Sequence, residues 1–284
     1  MTHPGLDGGP IQLGHNAGVG CGRPERFIEA VYDAGAAAYD HYWAPALHRH
    51  ARALVDALPA GHRRTVLDVG GGVGTLAPAL RATAGPGGLV VLLDRSRGML
   101  RRAPGDMPRL QADVARLPIA DQAADVVVLA FVLFLLTDAR GAVTEAARVL
   151  RSGGWLLAAT WGRQQGAGAD DVVRDELDRA GAPPFPELPR SDELTDSPAR
   201  MTVLLEACGL THVRTEMRSL DARFDPASVL AMRTGSGALG WRYTRLDDPG
   251  RDAVRRRTAR HLAALPSDAF LDRSEVLLTW ARGP

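Results

Sequence analysis

The segment Val66-Leu67-Asp68-Val69-Gly70-Gly71-Gly72-Val73-Gly74 puts a carboxylate inside the end of an apolar run and follows it with a glycine-dense turn. Thr75 to Arg81 then carries the small and apolar residues of a helix start. A buried strand, a tight turn and a helix N-terminus together form a cradle for an extended polar ligand. Glycine permits positive φ and close backbone approach, and the free N–H groups of the first helical turn point at the ligand. The dinucleotide fingerprint Gly-x-Gly-x-x-Gly is the rival reading. Its register fails from Gly70, because position 75 is Thr, but from Gly72 it puts Ala77 where the third small residue belongs. The glycines alone leave both readings open. Asp68 favours the first, since a carboxylate pairs with a cationic, amino-acid-like ligand and repels a pyrophosphate.

Three further features arrive in order. Leu89 to Leu93 is a short apolar run ending in Asp94, about 20 residues beyond the turn, where one βαβ step returns an acid to the ligand. A carboxylate there can accept both hydroxyls of a ribose. Arg109 to Val114 reads as a third strand that ends in acid at Asp113. Ala124 to Leu136 is a long apolar run, followed by Thr137-Asp138 and a helical pattern through Leu150. Ser152-Gly153-Gly154 then introduces another strand, Trp155 to Trp161.

The block from Thr65 to Trp161 resembles the ubiquinone/menaquinone-type branch of the class I S-adenosylmethionine-dependent methyltransferases. The pieces that carry the resemblance are Val-Leu-Asp-Val-Gly-Gly-Gly-Val-Gly, Leu-Leu-Asp-Arg-Ser-Arg-Gly-Met-Leu, Gln-Ala-Asp-Val-Ala-Arg-Leu-Pro-Ile and Ala-Arg-Val-Leu-Arg-Ser-Gly-Gly-Trp-Leu. The resemblance implies an α/β fold: a Rossmann-like, seven-stranded, mostly parallel sheet with helices on both faces, plus an N-terminal helical lid and helical cap insertions. It implies S-adenosyl-L-methionine as cofactor. By position, Asp68, Gly70, Gly72 and Gly74 would approach its amino-acid part and Asp94, with Arg95 beside it, the ribose. Met99 would pack near the nucleoside, Asp113 and Val114 would hold adenine, and Ala130 and Phe131 would line the methyl-transfer cleft. The family often has a histidine just after the fourth strand, whereas the run here is Phe131-Val132-Leu133-Phe134-Leu135.

The acceptor site must then be built from what lies outside the core. Tyr39-Asp40-His41-Tyr42-Trp43-Ala44-Pro45 and Trp241-Arg242-Tyr243 are the aromatic-rich segments there. By the resemblance, Tyr39 would close over the cofactor. Tyr42, Trp43, Phe134, Trp241 and Tyr243 are assigned to the acceptor pocket. His41 is the candidate base, because imidazole titrates near neutral pH and can take a proton from a hydroxyl or amine. No metal is expected.

Four regions are expected: a mobile segment at 1–23, a helical lid at 24–60, the cofactor-binding core at 61–162, and cap helices with the last strands at 163–284. In the last region Pro183-Pro184-Phe185-Pro186 excludes helix or central strand. Ser197-Pro198 starts a helix, Thr211 to Leu220 and Glu275 to Ala281 read as strands, and Pro226 to Pro266 as mostly helical.

Composition narrows the partners. The 284 residues carry a net charge of +1, which gives no signal for nucleic acid or an anionic membrane. Every basic residue is Arg; Arg255-Arg256-Arg257 lies near Asp247, Asp248 and Asp252 and reads as a solvated helix face. Cys21 and Cys208 match no metal spacing and suit a reducing cytoplasm. No apolar run reaches membrane-spanning length. The expectation is a cytoplasmic, monomeric or homodimeric enzyme that methylates a small, partly apolar acceptor of specialised-metabolite or quinol-like type. Two alternatives stand beside it. One is a non-methylating cyclase that holds S-adenosylmethionine on the same fold; the other, disfavoured by Asp68, is a nicotinamide-dependent oxidoreductase.

Overall fold

The computed structural model describes residues 24–59, 64–164, 167–189 and 191–284. The segment expected to be mobile, 1–23, and Cys21 within it, lie outside the described residues. Seven strands form the main sheet: β1 (Thr65–Val69), β2 (Leu89–Asp94), β3 (Arg109–Gln111), β4 (Ala124–Ala130), β5 (Leu150–Trp161), β6 (Thr211–Ser219) and β7 (Glu275–Arg282). Their order across the sheet is 3-2-1-4-5-7-6. β1 to β5 pair in parallel, and β7 runs antiparallel to both its neighbours. This is the expected Rossmann-like sheet, with helices on both faces.

Val126, Val127, Val128 and Leu129 on β4 are all fully buried, as a central parallel strand covered on both sides requires. Their alternation splits the core in two. Val126 and Val128 join Leu54, Leu80 and Leu157 on one face; Val127 and Leu129 join Val143, Ala146 and Leu205 on the other. The apolar run does not continue as strand to Leu136. It breaks at Phe131, whose φ is +59°, and Leu133–Leu135 form one tight turn. β3 is likewise shorter than expected. It stops at Gln111 because Asp113 turns the chain, accepting from the Ala115 N–H at 3.0 Å.

Ahead of the sheet, α1 (Pro24–Ala38) passes through a wide π-type turn, Tyr39–Trp43, into α2 (Ala44–Asp56). Pro45 has no N–H to return to the turn before it, which loosens the ladder at that point. The Trp280 indole N–H donates to the Leu54 carbonyl at 2.9 Å and ties α2 to β7. α3 (Ala77–Ala84) and α4 (Arg97–Arg102) follow β1 and β2, and α5 (Ala139–Val149) follows β4. Asp33 of α1 accepts from the Gly98 N–H at 2.7 Å and from the Ser96 hydroxyl, and Asp40 pairs with Arg102 at 2.8 Å. Two carboxylates thus fasten α1 and its turn to α4.

After β5 come α6 (Ala169–Arg179), the loop 182–189 and α7 (Pro198–Glu206). Between β6 and β7 lie α8 (Pro226–Gly235), α9 (Gly237–Tyr243) and α10 (Asp248–Ala263), as the helical pattern anticipates, together with an unanticipated two-residue strand pair, Ala222–Arg223 with Leu271–Asp272. Ser219 and Glu275, at the two ends of this insertion, are paired in register. Val173, Leu177, Val229, Val254 and Leu262 give α6, α8 and α10 a small core of their own. Among the described residues, no helix is long and apolar enough to cross a membrane.

Candidate functional site

A cleft of about 1730 Å³ opens at the C-terminal ends of β1, β2, β4 and β5, beneath α1 and α8. In open α/β sheets this end is where ligands bind. The turn after β1 is shaped by Gly70, Gly72 and Gly74, with φ of +69°, +58° and +74°. A Cβ on Gly70 would lie 2.3 Å from Val132 Cγ2, and one on Gly71 would lie 2.5 Å from Asp68 Oδ2. One on Gly72 would meet nothing within 4 Å. The turn is therefore packed tight behind and open in front. Gly74 faces the packed side, against Pro104, and does not line the cleft as expected. Gly71, outside the expected pattern, is dictated by the lack of room beside Asp68.

Asp94 joins the turn to α4. Its Oδ2 accepts from the Gly72 N–H at 2.9 Å and its Oδ1 from the Ser96 N–H at 2.7 Å, and each oxygen retains a lone pair. Burial raises its pKa, against the lowering effect of these backbone donors. Asp68 is fully buried, and among the described residues neither of its oxygens has a hydrogen-bond partner. Burial, then the charge of Asp94, push its pKa up to about 7. Beside it is a small cavity of about 40 Å³, lined also by Tyr39, Gly70 and Phe131, with room for a small polar group. Burial holds the Tyr39 phenol well above its usual range, so it stays neutral.

An orphan buried carboxylate, a small cavity beside it and a second carboxylate with spare lone pairs fit a ligand carrying a cation and a diol. Met99, Asp113 and Val114 continue the same wall, and Arg95 pairs with Asp113.

On the other side the cleft is aromatic. Phe131 keeps a left-handed conformation that costs a bulky residue about 1–3 kcal/mol, and its N–H donates to the Ala159 carbonyl at 2.8 Å. Its ring lies 5.1 Å from that of Trp161, which lies 6.3 Å from Trp43 and 6.4 Å from Phe134. Ala130 lines the cleft with them. Trp43 and Phe134 thus line the cleft. Trp161 enters as a site residue that the sequence reading missed, although it ends a strand at the ligand end of the sheet.

Several acceptor-side expectations are corrected. His41 is exposed, edge-on to Tyr42 at 4.5 Å, and neither lines the cleft. Tyr39 and Trp43 take the inward side of the π-type turn and leave the residues between them outside. Trp241 stands one layer back, 5.5 Å from Phe185 and 5.5 Å from Phe27, with Arg245 over its other face. The wall itself is Phe185 of the proline-rich loop. Tyr243 packs in the core of the cap. Among the described residues, no histidine lines the main cleft.

The cap adds charge. Arg233 of α8 forks onto Asp170 of α6, with Nε to Oδ1 at 2.6 Å and Nη2 to Oδ2, and its guanidinium lies 4.9 Å over the Trp43 ring. Arg242 is held by Asp178 and by the Ala182 and Pro183 carbonyls.

Residues 67–158 match a family model described as a methyltransferase domain. The chain is similar to the ubiquinone/menaquinone biosynthesis C-methyltransferase UbiE of Stutzerimonas stutzeri, 33% identical over 143 residues that cover 46% of this chain and 56% of that protein. The match spans between 40% and 59% of the length of such UbiE relatives. Among solved structures it resembles the Haemonchus contortus phosphoethanolamine N-methyltransferase 2 in complex with S-adenosyl-L-methionine. The TM-score is 0.53 at 16% identity, over 93% of this chain and 61% of that one. It also resembles the [4+2]-cyclase SpnF, with a TM-score of 0.51 at 18% identity, over 84% of this chain and 81% of that one. At these identities both show the shared fold. Residues 67–158 thus match a methyltransferase domain in sequence, and the solved structures share the fold of the whole sheet.

Proposed function

We propose that the protein is an S-adenosylmethionine-dependent methyltransferase acting on a small, partly apolar acceptor, of specialised-metabolite or quinol-like kind. The observation that carries this reading is Asp68, a fully buried carboxylate with no hydrogen-bond partner among the described residues, in a small cavity that shares Tyr39, Gly70 and Phe131 with the cleft lined by Asp94. Asp68 would hold the cationic amino-acid end of the cofactor, Gly70 and Gly72 would let the backbone approach it, and Asp94 would accept from the ribose hydroxyls. Met99, Asp113 and Val114 would enclose the nucleoside. When bound, the cofactor supplies a methyl group already activated on a sulfonium. The chain's task is then to align the acceptor and exclude water, which supplies most of the acceleration in such a reaction. Phe131, Phe134, Trp43 and Trp161 would do both.

Residues 24–60 serve as lid, and 163–284 complete the site as cap and last strands. Asp33 and Asp40 support the first role by fastening the lid to α4. The protein acts in the cytoplasm, as a monomer or homodimer. His41 lies too exposed to take a proton inside the cleft, and an acceptor that is acidic or carbanion-like, or that loses its proton to solvent, needs no such base. The exposed position of His41 is also compatible with a second reading, a cyclase-type enzyme that keeps the cofactor without consuming it.

Mass spectrometry of the purified protein should find S-adenosylmethionine or S-adenosylhomocysteine, and turnover should release S-adenosylhomocysteine. Tight cofactor binding with no such product across acceptors would replace methyl transfer with the second reading. A bound nicotinamide nucleotide would overturn both.

A further inference from the structure

Resting on that methyltransferase reading, we propose that Arg233 selects the acceptor, by donating a hydrogen bond to an oxygen carried on a planar ring. Asp170 takes the Arg233 Nε and Nη2 hydrogens, and among the described residues Nη1 makes no hydrogen bond. Both side chains are largely covered, at 18% and 14% exposure. A fork held this way is a fixed donor, with its remaining N–H groups set at a known angle. Asp170 cancels most of the long-range charge. The site therefore favours an oriented oxygen over a freely diffusing anion.

The ring follows from the surroundings. The Arg233 guanidinium covers Trp43, Trp43 meets Trp161, and Trp161 meets Phe131 at the end of β4. Arg233 is thus joined by three successive contacts to the place where the methyl donor would be held. A planar acceptor laid against these walls would bring an oxygen at its edge to Nη1. Of the other cleft arginines, Arg242 is held by Asp178 and two carbonyls, Arg95 pairs with Asp113, Arg174 pairs with Asp171, and Arg26 is exposed, so it is not fixed in a covered fork as Arg233 is. A site that spends a buried donor on an oxygen rejects the analogue lacking it, because the donor is then left unpaired.

The test is calorimetric titration of the full chain, with and without S-adenosylhomocysteine, using 2-naphthol, 2-naphthoate and 2-methylnaphthalene. The wild type should bind one of the oxygenated rings roughly 10- to 100-fold more tightly than 2-methylnaphthalene. Which of the two it prefers separates a phenol from a carboxylate. Arg233→Gln should bring that preference below about threefold while S-adenosylhomocysteine still binds as in the wild type. Arg233→Lys, which keeps the charge without the fork, should fall between, and it serves as the readout if the Gln variant does not fold. A wild type with no preference for oxygen, or a variant that keeps it, overturns the assignment of Arg233. Failure of the wild type to bind S-adenosylhomocysteine overturns the methyltransferase reading instead, and the ring preference measured without it is scored separately.

Discussion

The two halves of the cleft are built by different physics. On the side of β1 and β2 the shape is made by backbone: glycines at positive φ, N–H groups, and Asp94 bridging a turn to a helix start. On the side of β4, β5 and the cap it is made by rings and guanidinium groups from segments far apart in the chain, Trp43, Phe131, Trp161, Phe185 and Arg233. The first half is geometrically strict behind the turn, because a methyl added at Gly70 or Gly71 collides. The second is a packed surface in which a ring of another shape can be accommodated at modest cost. On the proposed function, the strict half would hold the methyl donor and the adaptable wall would take the acceptor.

The comparison can be broken most severely at Asp94. Asp94→Ala should weaken S-adenosylhomocysteine binding by about 1.5–3 kcal/mol, the scale of a lost charge-assisted hydrogen bond. It should also lower the melting temperature, since the Gly72 and Ser96 N–H groups lose their acceptor. Unchanged affinity by calorimetry would remove Asp94 from the frame. Gly71→Ala comes next. Its Cβ would fall 2.2 Å from Leu92 and 2.5 Å from Asp68, so a stability loss of about 1–3 kcal/mol is expected in denaturant unfolding. Gly72→Ala meets no neighbour and should show only the cost of positive φ.

Asp68 sharpens the contrast through pH. Its folded-state pKa of about 7 stands above the unfolded value of 3.8, so the folded form holds a proton that the unfolded form has released. This group's contribution to the stability of the ligand-free protein is therefore most favourable below pH 4. It is lost as pH rises toward 7 and stays constant above. Cofactor affinity should run the other way and strengthen through neutral pH, because the ionised carboxylate pairs with a cation. Asp68→Asn should flatten both profiles; a variant that keeps either slope would assign it to another group.

On the aromatic side, Trp161→Leu should reduce turnover by roughly 10-fold through poorer acceptor alignment, with cofactor affinity intact. Equal losses in both would show that the two halves are not separate. The smallest effect belongs to His41→Ala, which should change turnover by less than about twofold, against the roughly 100-fold loss expected of a general base.

How much of this was readable in advance follows the same division. Asp68, the glycines and Asp94 lie within one βαβ step, so local spacing is enough to find them. Local spacing could not say that Gly74 faces Pro104, or that β3 ends before Asp113, because both depend on how a turn packs. On the acceptor side the aromatic residues were visible as composition, but their facing was not. A single wide turn at Tyr39–Trp43 decides that Trp43 looks into the cleft and His41 away from it. Trp241 sits behind Phe185 only because α9, α1 and the proline-rich loop converge there. Trp161 reads as the end of a strand, yet nothing in its sequence neighbours shows that the strand delivers it to a ring of aromatics.

The pairing of Ser219 with Glu275 gives the insertion between them a particular freedom. Because its two ends are neighbours on adjacent strands, the sheet is complete without it, and removing or exchanging it leaves a short gap that a tight hairpin could close. The segment also carries part of its own core, through Val229, Val254 and Leu262. Arg233, the guanidinium over Trp43, arrives on this segment. If Arg233 sets acceptor preference as proposed, exchanging this segment would change that preference, while the turn after β1 and Asp94, which lie outside it, would stay as they are.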